Sequence, residues 1–202
     1  MRHAQARLAH ATTVRLLRPR RSPARKTSQL TTVTAPELFV RAATFADADA
    51  IHALIDDHMA EGHLLPRTIE EIASHAPRFL VAVQGGRIVA CADLASLSRR
   101  VAEVRSLVVA SESRSCGLGR RLVDELARRA SAAGFETLCA FTHAPRYFVQ
   151  MGFSIVPHVW LPEKIEADCR SCAQFRTCGQ YAVMLPLVGG RSSCVPLTAL
   201  HG

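Results

Sequence analysis

No stretch of the 202-residue chain approaches the roughly 20 uninterrupted apolar residues that a membrane-spanning helix needs, because charged and polar side chains break every hydrophobic run. A membrane-embedded role is excluded on that ground. The chain also lacks the continuous apolar core of a secretory signal. Its seven cysteines, Cys91, Cys116, Cys139, Cys169, Cys172, Cys178 and Cys194, are an odd number, so reduced thiols are expected rather than a disulfide framework. There is no internal repeat. Acidic residues are missing from the first 36 positions, where Arg2, Arg7, Arg15, Arg18, Arg20, Arg21, Arg25 and Lys26 supply eight positive charges. The rest of the chain sets 17 basic residues against all 17 acidic ones, so the formal net charge of +8 belongs to that segment alone. A folded part without net charge offers no global field to a polyanion, which argues against a nucleic-acid partner.

What is present, 49% hydrophobic and 21% charged residues, describes a single globular domain with a sizeable core. Residues 1–36 are rich in Arg, Ser, Thr and Ala and are broken by Pro19 and Pro23, which predicts a disordered basic extension. Its composition fits either a plain flexible extension or an organellar transit peptide: the first leaves a cytoplasmic location as the expectation, the second a mitochondrial or plastid one. The folded domain is expected over 37–188, followed by a tail at 189–202.

Residues 38–43 read as a strand, and Thr44 with Asp47 matches a capping box that opens a helix carrying Ile51, Leu54, Ile55 and Met59 and ending near Gly62. A second box, Thr68 with Glu71, opens a short helix that Pro77 must close. Strands at 79–84 and 87–95 are joined by Gly85-Gly86, a hairpin turn. A β-branched run at 101–109 leads through a polar loop to a helix over 117–133, whose Leu118, Leu122, Leu126 and Ala130 form one stripe. A strand at 136–142, a helix at 145–151 and strands at 153–156 and 181–185 complete the pattern. It predicts an α/β fold with a mixed sheet.

Arg114-Ser115-Cys116-Gly117-Leu118-Gly119-Arg120 stands between a predicted strand and the start of a predicted helix. Glycine lets backbone amides approach an anion closely, and the helix N-terminus favours phosphate. A helix start that simply needs glycine gives the same pattern, so the strand-loop-helix context carries the reading.

Arg114, Gly117 and Gly119 match the Arg/Gln-x-x-Gly-x-Gly/Ala signature, and the chain from Val40 to about Leu187 resembles the GNAT superfamily of N-acetyltransferases. The resemblance implies the GNAT fold, a mixed central sheet with flanking helices, and acetyl-CoA as cosubstrate. It implies that the amides of Ser115, Cys116, Gly117, Leu118, Gly119 and Arg120 hold the pyrophosphate, with Arg114 beside them. The strand edge at Leu107, Val108 and Val109 is then expected to pair with the pantetheine arm.

Strict alternation puts Val101, Glu103, Arg105, Leu107 and Val109 on one strand face, an odd place for two charges. Neutralisation of each by the other is one reading. The resemblance adds a second, with Glu103 as the base that takes the amine's proton. Members of the superfamily often place a Tyr four residues before the Gly of a Gly-Phe pair to protonate the leaving thiolate. Here Phe148 holds that position, and the adjacent Tyr147 becomes the candidate. Thr142 at the end of the next strand is a candidate to bind the attacking nitrogen or a water, or an ordinary strand-end threonine.

EGHLLPRTIEEI at 61–72 and LPEKIEADCR at 161–170 resemble the short amino-acid acetyltransferases that act as N-acetylglutamate synthases. That resemblance implies L-glutamate as acceptor, in the first step of arginine biosynthesis, with no amino-acid-kinase domain. Arg67, Arg170 and Arg176, together with Arg105, are the candidates to bind its carboxylates, since Arg grips these bidentately. Other amino acids, small amines or a protein N-terminus are the alternative acceptors, and a homodimer is left open. Cys169, Cys172 and Cys178 form a C-x2-C-x5-C cluster that suggests zinc or an iron–sulfur centre, or merely reduced cysteines packing a loop. A non-catalytic acetyl-CoA or metal/redox sensor is the rival from another class.

Overall fold

The computed structural model describes residues 37–61, 64–173 and 175–187. The basic segment 1–36 and the tail 189–202 lie outside them. Strand β1 (Leu38–Ala42) leads to the Thr44 capping box, where Asp47 takes hydrogen bonds from the Thr44 N–H at 2.7 Å and from its hydroxyl at 2.9 Å. Arg41 grips the same carboxylate bidentately and holds the Asp47 carboxyl far below its ordinary range. Its contribution to stability is complete above the ordinary carboxylate pKa and is lost as pH falls toward the depressed one.

Helix α1 (Ala48–Asp57) buries Ile51, Leu54 and Ile55 and ends earlier than the apolar spacing suggests, the chain tightening into a 3-10 turn at Met59–Glu61. Helix α2 (Ile69–Ser74) starts as expected, with Thr68 Oγ1 accepting from the Glu71 N–H at 3.1 Å. Strands β2 (Phe79–Gln84) and β3 (Arg87–Ser96) form the glycine-turn hairpin. Strand β4 (Val101–Val109), helix α3 (Leu118–Ala132), strand β5 (Thr137–Thr142), helix α4 (Pro145–Val149), strand β6 (Ser154–Val156), helix α5 (Pro162–Ala167) and strand β7 (Tyr181–Pro186) follow. None of these helices is long and apolar enough to cross a membrane.

The strands make one seven-stranded sheet in the order β1-β2-β3-β4-β5-β7-β6. Only β4 and β5 run parallel, the mixed sheet expected from the element order. Cross-strand pairing sets the faces. Ala102, Val104, Leu138 and Ala140 belong to the main core together with Leu122, Val123 and Leu126 of α3. Glu103 pairs with Cys139 and so stands on the other face, where Val101, Cys139 and Leu161, the residue before α5, form a smaller cluster.

Two irregularities shape the middle of β4. Opposite β3, Cys91 pairs with Val108 but Asp93 pairs with Arg105, so one extra residue bulges from β4, and Ser106 takes a positive φ of 47° there. The bulge corrects the strict alternation: the face of Glu103 and Arg105 passes to Val108, whereas Leu107 and Val109 turn to the other side. Against β5, pairing stops at Val104 with Ala140. Beyond it the strands diverge, and the backbone of residues 105–109 has no ladder partner on that side.

Candidate active site

A cleft of about 1140 Å³ opens where β4 and β5 part. One end is the loop before α3. Ser115 and Gly117 adopt left-handed conformations, φ 65° and 76°, the kind of backbone from which anion-binding turns are built. Gly117 is the residue preceding α3 and brings no side chain to cap it, and the first turn carries no acidic residue. The N–H groups of that turn, with the helix dipole behind them, are left for an anion. Gly119 leaves room for Tyr147: a Cβ there would overlap the Tyr147 hydroxyl and touch Val109 Cγ2 at 3.6 Å. Arg114 spans the loop, donating to the Val109 carbonyl at 3.0 Å and to Glu61 Oε1 at 2.6 Å. Arg120 and Cys116 lie at the exposed rim. A diphosphate with an extended amide arm fits these groups: amides for the phosphates, an unpaired strand edge for the arm.

The other end is charged. Glu103 is 2% exposed. Its Oε2 accepts from Arg105 Nε at 2.5 Å and its Oε1 from Lys164 Nζ at 2.6 Å. Asp168 joins them, bound by Lys164 at 2.8 Å and by Arg105 Nη2. Burial alone would raise the Asp168 carboxyl, but the hydrogen bond and charge of Lys164, with the charge of Arg105, hold it below its ordinary value. Beside this group Arg67 pairs with Glu71 at 2.8 Å and with Asp93 at 3.4 Å.

Asp93, wholly buried, takes two hydrogen bonds from Arg78 at 2.9 and 3.1 Å and so fixes the far side of Arg67. Removing its charge leaves two arginines without their buried partner. Asp93→Asn is expected to cost about 3 to 5 kcal/mol in urea denaturation. A loss near zero shows that water, not Asp93, satisfies these arginines.

The structure redistributes the other candidates. Arg67 and Arg105 converge on the cleft. Arg170 does not, since it reaches outward to Glu166 at 2.9 Å with both side chains about two-thirds exposed, and Arg176 is also on the surface. The cation at their expected position is Lys164, one helical turn before Asp168. Only its i,i+4 relation to Asp168 marks it in the sequence, and most such pairs lie in solvent. The Thr142 hydroxyl accepts from the Ala144 N–H at 3.0 Å and closes the turn into α4. The Tyr147 hydroxyl lies against Gly119 in the first turn of α3, and the side chain remains partly exposed. His58 is buried at the wall of the cleft, its Nδ1 2.8 Å from the Leu54 carbonyl oxygen.

The metal expectation needs correction. Cys169, Cys172 and Cys178 all border the cleft, but Cys172 and Cys178 are exposed and Cys169 only half-buried. Among the described residues no three His, Cys, Asp or Glu side chains are placed to hold one ion, and His158 is engaged with the Gln180 carbonyl at 2.9 Å. Burial, aided by the charge of Asp93, pushes the Cys91 thiol up to about 12, and burial with the charge of Glu103 raises Cys139, which disfavours the thiolate at both.

Comparison with known proteins decides the family. The acetyltransferase (GNAT) pattern matches residues 48–153, just over half of the chain. The chain belongs to the GNAT family of acetyltransferases. An uncharacterized N-acetyltransferase of Chlorobaculum tepidum is 33% identical over 153 residues, covering 76% of this chain and 99% of that protein. An amino-acid acetyltransferase of Neisseria meningitidis is 31% identical over 144 residues, 69% of this chain but 33% of that protein, so this GNAT chain spans about a third of its length. N-acetylglutamate synthase from Neisseria gonorrhoeae, solved with coenzyme A and N-acetyl-glutamate, superposes with a TM-score of 0.68 at 25% identity, covering 76% of this chain and 36% of that one.

Proposed function

We propose that this GNAT protein transfers the acetyl group of acetyl-CoA to the α-amino group of L-glutamate. The observation that carries the reading is the gathering of a buried carboxylate, Glu103, with Arg105, Lys164 and Arg67 in one cleft, at the end of β4 remote from the anion cradle. The likeness to a synthase solved with coenzyme A and N-acetyl-glutamate supports it.

When bound, acetyl-CoA supplies the acetyl group as an activated thioester. The amides of residues 115–120 hold its pyrophosphate, and the unpaired edge at Leu107, Val108 and Val109 orients the arm and offers N–H groups to polarise the carbonyl. Glu103 takes the proton that makes the acceptor nitrogen nucleophilic. Tyr147, whose hydroxyl is pushed up by burial and by Asp124, stays protonated at neutral pH and serves as donor to the departing thiolate, already a fair leaving group with a thiol pKa of about 8.5. Arg105 receives the α-carboxylate. Arg67, whose partner Glu71 is the more exposed of its two, receives the side-chain carboxylate. Attack is taken to be direct, in a ternary complex of protein, acetyl-CoA and amino acid.

Thiol release from acetyl-CoA, measured across the free amino acids, tests the acceptor. Glutamate is expected to turn over fastest, and Arg67→Ala to raise its KM roughly 10- to 100-fold, the loss of one charge-assisted pair. Turnover of another amine with none for glutamate refutes the acceptor and leaves the family standing.

A further inference from the structure

Four side chains close a ring of alternating charge at the acceptor end of the cleft, and the ring occupies both oxygens of the proposed base. Glu103 Oε1 is held by Lys164 at 2.6 Å and Oε2 by Arg105 at 2.5 Å, while Asp168 bridges the same two cations. An amine that takes a full ion-pair position at Glu103 replaces one of these donors. Arg105 is fixed within β4, paired across to Asp93 of β3. Lys164 belongs to α5, six residues long with none of them buried. Lys164 is therefore the donor that can be exchanged. Asp168 follows it by four residues on the same segment, so the two leave together.

Toward the sheet, this pair presents an ammonium to Glu103 and a carboxylate to Arg105, with nitrogen and oxygen 2.8 Å apart. An α-amino acid carries the same two groups at closely similar separation. We propose that the Lys164–Asp168 pair is an internal stand-in for the acceptor's α-ammonium and α-carboxylate, displaced when the amino acid binds, and that it sets the demand for a free carboxylate. The proposal rests on the amino-acid reading above.

Charge balance gives the specificity. With α5 docked the ring holds two cations and two anions. A zwitterion taking the place of the pair restores neutrality at Glu103 and Arg105. An amine without a carboxylate leaves two cations against one buried carboxylate, and an uncompensated charge in such a place is costly. The docked pair also lowers apparent affinity, since acceptor binds only the fraction of molecules in which α5 has left.

The test measures glutamate binding by calorimetry to the coenzyme A-saturated protein, wild type and Asp168→Asn, with KM in parallel. Asp168→Asn is expected to tighten glutamate about fivefold in both, because the competing carboxylate is gone. Hydrogen–deuterium exchange on the wild type gives a readout that needs no variant: glutamate should speed exchange of the amides of residues 163–168, as expected for a displaced segment. Unchanged or weaker binding to the variant, or slower exchange over 163–168, overturns the proposal. Failure of the wild type to acetylate any free amino acid refutes the acceptor reading and this proposal with it. Turnover of glutamate with an unresponsive α5 removes the proposal alone.

Discussion

Replacing Glu103 by Gln is expected to lower kcat with the preferred acceptor about 100-fold or more, the usual worth of a positioned base. The substitution keeps size and hydrogen-bonding shape while removing the group that accepts the proton. Acetyl-CoA affinity is expected to stay within about twofold, because the cradle is at the other end of β4 and distant sites add independently. Stability changes too. Arg105 and Lys164 then share Asp168 as the remaining carboxylate of the ring, and breaking a buried pair costs about 3 to 5 kcal/mol. A melting curve taken alongside separates this loss from the catalytic one. A folded variant with wild-type kcat would remove Glu103 from the chemistry and favour a sensor that binds without turnover.

Gly119→Val is expected to strike the opposite end. The new Cβ meets the terminus of the Tyr147 side chain, which can swing aside, and lies against Val109 at ordinary contact distance, so the fold survives. The displaced ring and the added methyls are expected to crowd the loop before α3. Overpacking costs about 1 to 3 kcal/mol. Expressed in the bound state, that is roughly a 5- to 150-fold rise in Kd for acetyl-CoA, read by calorimetry. Acceptor KM at saturating acetyl-CoA should change little. An unaltered Kd would place the diphosphate elsewhere.

Local signals carried most of this fold into the sequence. The Thr44 capping box, the Thr68 N-cap, the glycine hairpin and the Leu stripe of α3 act through neighbours a few residues apart and form where their chemistry predicts, except that Glu71 does not return the bond to Thr68 and turns to Arg67 instead. The bulge at Ser106 left no such mark, because a serine rather than a glycine takes the positive φ, and alternation assigned Leu107 and Val109 to the wrong face. The insertion of β7 between β5 and β6 is equally silent, being set by long-range packing. At the candidate site, Glu103 and the glycine loop stood out in the sequence because each combines an unusual residue with an unusual place, and both border the cleft. Arg170 and Arg176 misled because any surface arginine looks alike in sequence. Lys164 and Asp168 escaped notice for the reverse reason: an i,i+4 ion pair reads as a solvated helix face until Glu103 and Arg105 are found beneath it.

The most direct test is a crystal structure of the protein with coenzyme A and N-acetylglutamate. The account predicts phosphate oxygens within hydrogen-bonding distance of the amides of residues 115–120, the sulfur alongside Leu107–Val109, and the acetylated nitrogen facing Glu103. A coenzyme bound away from that loop, or a product nitrogen remote from Glu103, would contradict it.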